Sequence, residues 1–393
     1  MKILALEPYY GGSHRSFIDG WICHSRHTWD LHTLPARKWK WRMRHSALTY
    51  CVEIEQQLAA GASWDVLFCL DMVNLAELRA LVPAAVGALP AVLYFHENQL
   101  TYPVRHAKER DYQFGLTNIT SALAAREVWF NSAFHRDAFL DAIPEFLAVM
   151  PDYRPHWVIE RIRRRSRVMY PAIDEVAERQ GEREPGPLRI VWAARWEFDK
   201  APEVLFEAVD RLVAEGVDFR LSVLGQQFDE MPAVFKRARE RLGDHIEHWG
   251  FLEERALYFR TLARADVFVS TAIHEFFGLA AVEAAAAGAL PLVPERLAYP
   301  EVFELGRHPE RQRLFYDGTA EELAARLAEL AAGVEKTPGK ALPAMAGLRE
   351  RAAGFFWEVS APVLDLALEL GDANLDGSEF DGTNPEDRVP AMP

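Results

Sequence analysis

Short apolar segments of β type alternate with helical patterns along this chain of 393 residues, and the alternation is interrupted once before it resumes. Strands are predicted in the first half at residues 2–7, 29–34, 66–70, 92–96, 128–131 and 167–170, and in the second half at 188–194, 220–224, 246–249, 267–270 and 290–293. Such alternation is typical of parallel sheets that are covered by helices. We therefore expect an α/β protein that is built from two Rossmann-like domains.

A charged segment that ends in proline and glycine separates the two halves. Residues 174–187 have this composition and predict an interdomain linker. The domains are then expected at residues 1–173 and 188–354, followed by a C-terminal helix at 355–371. Residues 372–393 are acidic, rich in Gly, Asn and Pro, and poor in apolar side chains, which predicts a disordered tail.

The composition argues against several broad classes of protein. A net charge of −14 argues against indiscriminate adhesion to nucleic acid or to anionic membranes. Apolar runs stay shorter than the ~18 residues needed to span a bilayer, and residues 1–8 have the pattern of a strand rather than of a secretion signal. The three cysteines, Cys23, Cys51 and Cys69, lack metal-ligand spacing and an even count. We expect a cytoplasmic protein that needs no membrane.

The most informative motif lies in the second half, where Ser270-Thr-Ala-Ile-His-Glu-Phe-Phe-Gly-Leu-Ala-Ala-Val-Glu283 ends a predicted strand. A turn at Gly278 that leads into a helix at Leu279 leaves backbone N–H groups free to bind a diphosphate. Glu275, before the turn, can accept hydrogen bonds from sugar hydroxyls, and Glu283, on the helix, can accept them from ribose hydroxyls. Either glutamate alone is more often a surface residue, but the pair around this turn predicts a nucleotide-sugar site.

Two cations, Arg195 and Lys200, follow the first predicted strand of the second half. Together with the preceding motif they resemble glycosyltransferase family 4, whose members are retaining enzymes of the GT-B fold, with two Rossmann-like domains facing each other across a cleft. The resemblance implies that Arg195 and Lys200 pair with the donor diphosphate and stabilise the departing charge, a task that a metal performs in other enzymes. No metal or other cofactor is therefore expected. Gly225 resembles the turn at which the donor of this family approaches closely.

The first predicted strand runs directly into Glu7-Pro-Tyr-Tyr-Gly-Gly-Ser-His14. A glycine pair at a strand–helix junction lets the backbone approach an anion, and Ser13 is available as a helix N-cap. Such a pair by itself could be only a tight turn, but family 4 enzymes present a glycine-rich loop to the donor phosphates at this place. The resemblance therefore implies a donor-binding loop with these members: Gly11, Gly12, Ser13 and His14.

Polar side chains also end the strand predicted at 92–96. The carboxyl ends of strands face the ligand crevice in open α/β sheets. His96 resembles the residue that family 4 enzymes place near the transferred sugar, and Glu97 and Asn98 follow it on the acceptor side. A lone histidine is more often structural, but this position favours a catalytic role for His96.

Two basic segments stand out in this acidic chain. The first combines cations with tryptophans and contains Lys38, Trp39, Lys40, Trp41, Arg42 and Arg44. The second is an arginine cluster that contains Arg161, Arg163, Arg164 and Arg165. Each segment alone could be a solvated helix face, but basic residues interleaved with tryptophan can contact phosphates and stack on unpaired bases. We expect the first segment to contact RNA and the second to provide a further contact.

The N-terminal segments narrow the resemblance. The motif that ends at His14, the first basic segment and the sequence Tyr-Phe-His-Glu-Asn-Gln-Leu-Thr-Tyr-Pro from Tyr94 are similar to the tRNA-queuosine α-mannosyltransferases. This likeness covers nearly the whole chain except the linker and the tail. It implies GDP-mannose as the donor, and as the acceptor the cyclopentenediol of queuosine at the wobble position in the anticodon loop of a tRNA.

Three other functions are compatible with parts of the pattern. A family 4 enzyme with a lipid-linked or polysaccharide acceptor would share the donor motifs, and its basic, aromatic segment could lie on an anionic membrane. A non-catalytic RNA-binding protein on the same scaffold is a second alternative, although the intact cation and carboxylate motifs argue against it. A dehydrogenase is disfavoured because no G-x-G-x-x-G sequence follows any predicted strand.

Overall fold

The computed structural model describes residues 1–104, 111–177, 182–226, 232–337, 339, 342 and 347–370. The chain divides into two compact units, one formed by Met1–Tyr170 together with the residues from Glu358 onward, the other by Pro171–Trp357. The tail predicted at 372–393 lies outside the described residues. Within the described ranges, no helix combines the length and the apolar character needed to cross a bilayer.

The first unit is a six-stranded parallel sheet with crossover helices. Its strands are β1 (Lys2–Tyr10), β2 (Thr28–Pro35), β3 (Val66–Leu70), β4 (Ala91–Phe95), β5 (Glu127–Phe130) and β6 (Ser166–Val168). Its helices are α1 (Gly12–His24), α2 (Trp39–Ala59), α3 (Leu75–Leu81), α4 (Ala84–Gly87), α5 (Tyr112–Ala124), α6 (Ala133–Ala148) and α7 (Trp157–Arg165). The strands lie in the order β2-β1-β3-β4-β5-β6. The six strands predicted for this half are confirmed.

Both faces of this sheet are covered, which explains why its strands are continuous apolar runs. Every side chain of β3 and β4 is buried. Parallel strands need crossover connections, and the helices in these connections cover the sheet on both sides. Phe95 of β4 stacks on Phe130 of β5 with ring centroids 5.1 Å apart. Each fully buried large apolar side chain stabilises the unit by roughly 1.5–3 kcal/mol relative to an exposed one.

The second unit has the same architecture. Its strands are β7 (Leu188–Ala193), β8 (Phe219–Leu224), β9 (Ile246–Gly250), β10 (Val267–Val269), β11 (Leu290–Pro294) and β12 (Phe315–Tyr316). Its helices are α8 (Pro202–Ala214), α9 (Val234–Leu242), α10 (Arg255–Arg264), α11 (Leu279–Ala287), α12 (Tyr299–Val302), α13 (Ala320–Lys336) and α14 (Leu348–Ala353). The parallel strands lie in the order β12-β11-β10-β7-β8-β9. All five strands predicted for this half are confirmed, whereas β12 is too short to give a sequence pattern.

The segment predicted as a linker at 174–187 belongs, where it is described, to the second unit. Arg183 is 2 % exposed, and its guanidinium donates to both carboxylate oxygens of Asp266 at 2.8 Å. It also donates to the carbonyl oxygen of Pro187 at 2.6 Å. The linker prediction is therefore wrong for this part, because composition alone cannot show that a charged residue has a buried partner far away in the sequence.

The last described helix, α15 (Trp357–Leu370), returns to the first unit. Asp365 on this helix is 2 % exposed and accepts three hydrogen bonds from the end of α1 and the loop after it. The donors are Nε1 of Trp21 at 2.9 Å, Oγ of Ser25 at 2.7 Å and the backbone N–H of Arg26 at 2.8 Å. The sequence pattern predicted the helix but not that it packs on the first unit.

Replacing Asp365 should weaken the first unit, since Asp365→Ala leaves three donors without their acceptor. We expect the free energy of unfolding to fall by roughly 3 kcal/mol. Urea unfolding followed by tryptophan fluorescence measures the change. Glu369→Ala is the matched control on the same helix, because it removes a pair with Arg26 in which both side chains are solvent-exposed. Equal effects of the two substitutions would contradict the role of Asp365.

Candidate active site

The strand order of each sheet reverses at one place, and ligands of open α/β sheets bind there, outside the carboxyl ends of the strands. In the second unit this place lies between β7 and β10. The loop after β7 contains Arg195 and Lys200, and the loop after β10 contains Glu275 and Gly278. The topology thus brings together the cation motif and the carboxylate motif that the sequence analysis singled out.

Lys200 is the buried cation at this place. It ends a 3₁₀ turn, Phe198–Lys200, and is 9 % exposed. Its Nζ donates to the carbonyl oxygen of His274 at 2.9 Å and to Oε2 of Glu275 at 3.2 Å, and lies 3.3 Å from Oδ2 of Asp199. Burial lowers the pKa of Lys200, but Glu275 and Asp199 raise it by more, so the pKa lies above its ordinary value. The ammonium is therefore charged at neutral pH.

Two hydrogen bonds join the loops that follow β7 and β10. Oγ1 of Thr271 donates to the carbonyl oxygen of Lys200 at 2.6 Å, and the backbone N–H of Ile273 donates to the carbonyl oxygen of Asp199 at 2.9 Å. The relative position of the cation and the carboxylate motif is therefore set by the backbone as well as by the side chains.

The turn at Gly278 requires glycine for two reasons. Its φ is +94°, and a Cβ at this position would lie 2.6 Å from the ring of Tyr299. That ring is buried, and its hydroxyl oxygen lies 2.7 Å from Oγ of Ser270. The helix α11 then begins at the half-buried Leu279 without a side-chain cap, so its first N–H groups have no intrahelical acceptor. Lys200, Glu275 and Gly278 line one pocket at the start of α11.

Arg195 does not line this pocket. Its side chain is 45 % exposed, and its Nη2 lies 3.4 Å from Oε2 of Glu197. The charge of Arg195 opposes the rise in the pKa of Lys200, so the two cations lie near each other. The role of Arg195 in donor binding therefore stays a prediction.

Glu283 lies on α11, as predicted, but protein groups already bind its carboxylate. Its oxygens accept hydrogen bonds from Nη2 of Arg255 at 2.8 Å and from the hydroxyl of Tyr258 at 2.7 Å. Burial raises the pKa of Glu283, while Arg255 and Tyr258 act in the opposite direction. Each carboxylate oxygen can accept a second hydrogen bond, so ribose binding by Glu283 stays a prediction.

Gly225 is the second glycine that this site depends on. Its φ is +150°, and a Cβ there would lie 1.8 Å from the carbonyl oxygen of Ala194, which precedes Arg195. Its N–H donates to the carbonyl oxygen of Gly250 at 3.2 Å. A larger residue at Gly225 would push the loop that carries Arg195 and Lys200 out of position.

In the first unit the strand order reverses between β1 and β3. The strand β1 leads into Gly11 and Gly12, as predicted. A Cβ on Gly11 would lie 2.5 Å from the Cβ of Ala36, and Gly12 has a φ of +53°. The prediction that Ser13 caps the helix is wrong, because α1 begins at Gly12 with Gly11 as its capping residue, and Ser13 lies exposed in the first turn. Donor binding by this loop stays a prediction.

A buried ion pair lies at the reversal point of the first unit. Glu7 at the end of β1 is fully buried, and its Oε2 lies 3.1 Å from Nδ1 of His14, while its Oε1 accepts the N–H of Tyr9 at 2.6 Å. Burial lowers the pKa of His14, but Glu7 raises it by more, to about 9, with further contributions from Asp71 and Glu97. At neutral pH His14 is therefore a cation.

His96 packs directly on this cation. The ring centroids of His96 and His14 are 4.2 Å apart, and Nε2 of His96 is buried without a hydrogen-bond partner among the described residues. Burial and the charge of His14 lower the pKa of His96 well below its ordinary value. The backbone N–H of His96 donates to Oδ1 of Asp71, and burial raises the pKa of that carboxyl well above its usual range. The lowered pKa favours a neutral imidazole for His96, and its buried Nε2 has no hydrogen-bond partner among the described residues.

Glu7, His14 and His96 offer ligand atoms that all lie within 4.8 Å of one another, close enough to hold a metal ion. Metal binding requires neutral imidazoles, and although burial lowers the pKa of His14, Glu7 raises it to about 9. A metal at this cluster would therefore have to displace the proton of His14. The sequence analysis singled out His14 and His96 but missed Glu7 in β1 and Asp71, which directly follows β3.

Asn98 does not have the acceptor role that was predicted for it. It is fully buried, and its Oδ1 accepts the backbone N–H groups of Leu100 and Thr101 at 3.0 and 2.9 Å, so it shapes the loop after β4. Glu97 is half-buried and accepts a hydrogen bond from Gln99 at 3.3 Å. Its acceptor role stays a prediction.

The first basic segment forms the beginning of α2, which starts at Trp39. Arg42 is 8 % exposed and donates to the carbonyl oxygen of Pro35 at 3.0 Å, so its assignment to an RNA surface is wrong. Trp39 is half-buried with its ring 5.1 Å from that of Phe114. The exposed members, which we call the α2 basic patch, are Lys38, Lys40, Trp41 and Arg44.

The arginine cluster lies on α7, and its members also differ in exposure. Arg161, Arg163 and Arg164 are exposed, and the last two pair with Glu160. Arg165 donates to the carbonyl oxygens of Leu123 and Ala125 at 3.0 Å each, at the end of α5. These carbonyls at a helix end otherwise lack donors. Arg165 is half-buried, and its contact with RNA stays a prediction.

Removing the Glu7 carboxylate should reverse the pKa shift of His14. In Glu7→Gln, burial then outweighs the remaining charges, and we expect the pKa to fall from about 9 to below its ordinary value, as measured by NMR titration of the imidazole. Because the folded-state pKa is raised, this ion pair stabilises the unit fully below the unfolded pKa and is lost as pH rises through about 9. The matched control is Glu53→Gln, which removes the partner of His32 and should leave His14 unchanged.

Two protein-family models match consecutive parts of the chain. The model described as tRNA-queuosine alpha-mannosyltransferase N-terminal matches residues 2–173, and the model described as glycosyl transferases group 1 matches residues 174–337. Solved structures with a similar fold include a sucrose-phosphate synthase from Thermosynechococcus elongatus (TM-score 0.70, 15 % identity, 95 % of this chain and 100 % of that one) and a glycosyltransferase from Rickettsia africae (TM-score 0.62, 14 % identity, 96 % and 99 %). The predicted GT-B fold class, with two Rossmann-like domains, is confirmed.

One curated relative matches a short part of the chain, and another matches most of it. A GDP-mannose-dependent alpha-(1-6)-phosphatidylinositol dimannoside mannosyltransferase from Mycobacterium tuberculosis is 32 % identical over 118 residues, which is 30 % of each chain. A tRNA-queuosine alpha-mannosyltransferase from Drosophila melanogaster is 38 % identical over 315 residues, which is 77 % of this chain and 81 % of the relative. The chain therefore belongs to the tRNA-queuosine α-mannosyltransferase family of glycosyltransferases.

Proposed function

We propose that this protein transfers mannose from GDP-mannose to the cyclopentenediol of queuosine at the wobble position of a tRNA, with retention of configuration. The observation that carries the proposal is the arrangement of Lys200, Glu275 and the start of α11 around one pocket of the second unit. Family membership supplies the acceptor. GDP-mannose is supported by the Mycobacterium tuberculosis relative, whose printed name includes this donor.

The pocket has the charges that a nucleotide-sugar donor needs. Its diphosphate is attracted by the Lys200 ammonium and by the free N–H groups at the start of α11. Arg195 joins them after its side chain leaves Glu197. As the sugar–phosphate bond breaks, charge builds on the β-phosphate, and fixed cations that stabilise this charge lower the barrier. These groups replace a metal ion, so the reaction needs no divalent cation.

Glu275 changes partner when the donor binds. In the structure its carboxylate neutralises Lys200 at 3.2 Å. The phosphates of the donor take over this neutralisation, and Glu275 becomes free to accept hydrogen bonds from the hydroxyls of mannose. The exchange avoids an unpaired buried charge in either state, which would be costly.

Retention follows from attack on the same face of the sugar. The bond from mannose C1 to the β-phosphate oxygen breaks while a bond from C1 to an acceptor hydroxyl oxygen forms on the same side. The hydroxyl proton passes to the leaving phosphate oxygen, so atoms and charge balance. Glu275 faces Lys200 and binds the sugar hydroxyls, which favours this route over a covalent intermediate on that carboxylate.

His96 suits a neutral hydrogen-bonding role rather than an ionic one. Its Nε2 is buried and lacks a partner among the residues that the structure describes, and its pKa lies well below the ordinary value. A neutral imidazole can donate to or accept from a sugar or diol hydroxyl, depending on its tautomer. We assign this nitrogen to a substrate hydroxyl, with the His14 cation and Glu7 fixing the ring behind it.

The α2 basic patch is the proposed contact to the anticodon loop. Trp41 is 61 % exposed, and Lys38, Lys40 and Arg44 are exposed beside it. Parallel connections place the start of α2 at the carboxyl edge of the sheet, the same edge as His96. Single-stranded RNA is bound by aromatic side chains that stack on bases and by cations that contact phosphates. The exposed arginines of α7 offer additional phosphate contacts.

A lipid acceptor is the alternative that a specific observation supports, since the Mycobacterium tuberculosis relative is named for a phosphatidylinositol dimannoside. An aromatic, basic helix end also suits an anionic membrane surface. Salt-dependent co-purification with tRNA supports the proposed acceptor. Flotation of the protein with anionic liposomes, without tRNA binding, supports the lipid instead.

The reaction is tested by incubating the protein with GDP-mannose and queuosine-containing tRNA and analysing the nucleosides by mass spectrometry. We expect the mass of one hexose to be added to queuosine, and we expect the same yield in excess EDTA. An α-linkage in the isolated nucleoside establishes retention. Unmodified queuosine after complete incubation, with active donor and intact tRNA, would falsify the proposal.

Two variants test the donor site in the same assay, and a third serves as the control. Lys200→Ala and Arg195→Ala should each lower kcat by about a hundredfold or more, because each removes a cation from the departing phosphate. Arg220→Ala, which removes an exposed arginine of β8 that pairs with Asp218, should leave the rate unchanged. Normal turnover in Lys200→Ala contradicts the assigned pocket.

Trp41→Ala should raise the KM for tRNA by roughly tenfold, which corresponds to the loss of one base stack, and leave the KM for GDP-mannose unchanged. Val52→Ala is the matched control, because Val52 is 51 % exposed further along the same helix and outside the α2 basic patch. Steady-state kinetics with an anticodon stem-loop measure both constants. An unchanged KM for RNA in Trp41→Ala removes this helix from the RNA surface.

A further inference from the structure

A buried carboxylate that no motif pointed to lies behind Lys200. Asp199 is 1 % exposed, and neither of its carboxylate oxygens accepts a hydrogen bond from any residue in the described part of the chain. The nearby cation is Lys200, whose Nζ lies 3.3 Å from Oδ2 of Asp199. Burying a carboxylate with so few partners costs free energy of folding. We therefore expect Asp199 to have a role beyond packing.

Three groups with partial or full negative charge surround the Lys200 ammonium, and they differ in their freedom to move. The carbonyl of His274 is part of the backbone. Glu275 has a side chain that is 28 % exposed and that can turn into the pocket. Asp199 is enclosed, and its own carbonyl oxygen accepts the N–H of Ile273 at 2.9 Å, which fixes its backbone.

The local backbone keeps Asp199 and Lys200 on the same turn. Both lie in the 3₁₀ turn Phe198–Lys200, and the next residue, Ala201, has a φ of +41°. A non-glycine residue in the left-handed region is unfavourable and persists only where the surrounding structure enforces it. The turn is therefore held in a shape that keeps the two side chains together.

We infer that Asp199 is a positioning residue of the donor site, which holds the Lys200 ammonium at the pocket while Glu275 exchanges this lysine for the hydroxyls of the sugar. The inference rests on the proposed function, in which Glu275 leaves Lys200 when the donor binds. Without Asp199, that departure would leave a long, flexible side chain held by one carbonyl group.

The charges around Lys200 agree with this role. Burial lowers the pKa of Lys200, and Glu275 and Asp199 raise it by more. When Glu275 turns away, Asp199 is the remaining carboxylate that keeps the lysine protonated until a phosphate arrives. Asp199 is too deeply buried to contact the donor itself, so its effect must pass through Lys200.

A double-mutant cycle on GDP binding tests this dependence. Asp199→Asn should weaken GDP binding by about tenfold, and Lys200→Gln by at least as much. If Asp199 acts through Lys200, the double variant should bind no worse than Lys200→Gln alone. Additive losses would mean that Asp199 acts independently of the lysine, which overturns the inference. Asp218→Asn, an exposed acid of the same unit, is the control and should change nothing.

A second measurement does not depend on any ligand. The ¹³Cε resonance of Lys200 in the full chain, assigned by its absence in Lys200→Gln, reports the protonation of the ammonium as pH rises. Asp199→Asn should lower its apparent pKa by about one unit, and Asp218→Asn should not. An unchanged titration in a folded Asp199→Asn protein overturns the inference. Failure of the wild type to bind GDP would instead overturn the proposed function, so the two failures are distinguishable.

Discussion

The pocket of the second unit depends on a buried cation. Lys200 lies between two carboxylates and a carbonyl oxygen at the point where the strand order reverses. A buried ammonium is tolerable only when it is paired, and its pairing with Glu275 and Asp199 joins the loops after β7 and β10. The proposed function requires that a phosphate of the donor can replace Glu275 as a partner of this ammonium.

The first unit also contains a buried, paired cation at its reversal point, formed by different residues. A fully buried glutamate of β1 holds a histidine cation, and burial together with that cation lowers the pKa of His96. Both reversal points therefore contain charged groups that are paired inside an α/β unit.

The fold and the donor motifs could be predicted from sequence because they leave local patterns. Buried parallel strands are apolar runs, and the turn at Gly278 follows a strand and precedes a helix. Roles that depend on a distant partner could not be predicted. Arg42, Arg165 and Asn98 are polar residues of types that often bind ligands. In the structure each makes hydrogen bonds to backbone groups of the first unit. Glu7, Asp71 and Asp199 were missed because a single acid at a strand end or in a turn gives no signal until its partner is known.

The return of the last helix to the first unit has a consequence for biosynthesis. A chain that emerges from the ribosome completes β1 to β6 long before Asp365 is made, because the whole second unit is translated in between. Until then Trp21, Ser25 and Arg26 lack their acceptor, and the surface that α15 later covers is exposed to other nascent chains. The N-terminal half of this protein therefore reaches its final structure only after translation is nearly finished, which makes it a candidate client for chaperones that bind during synthesis.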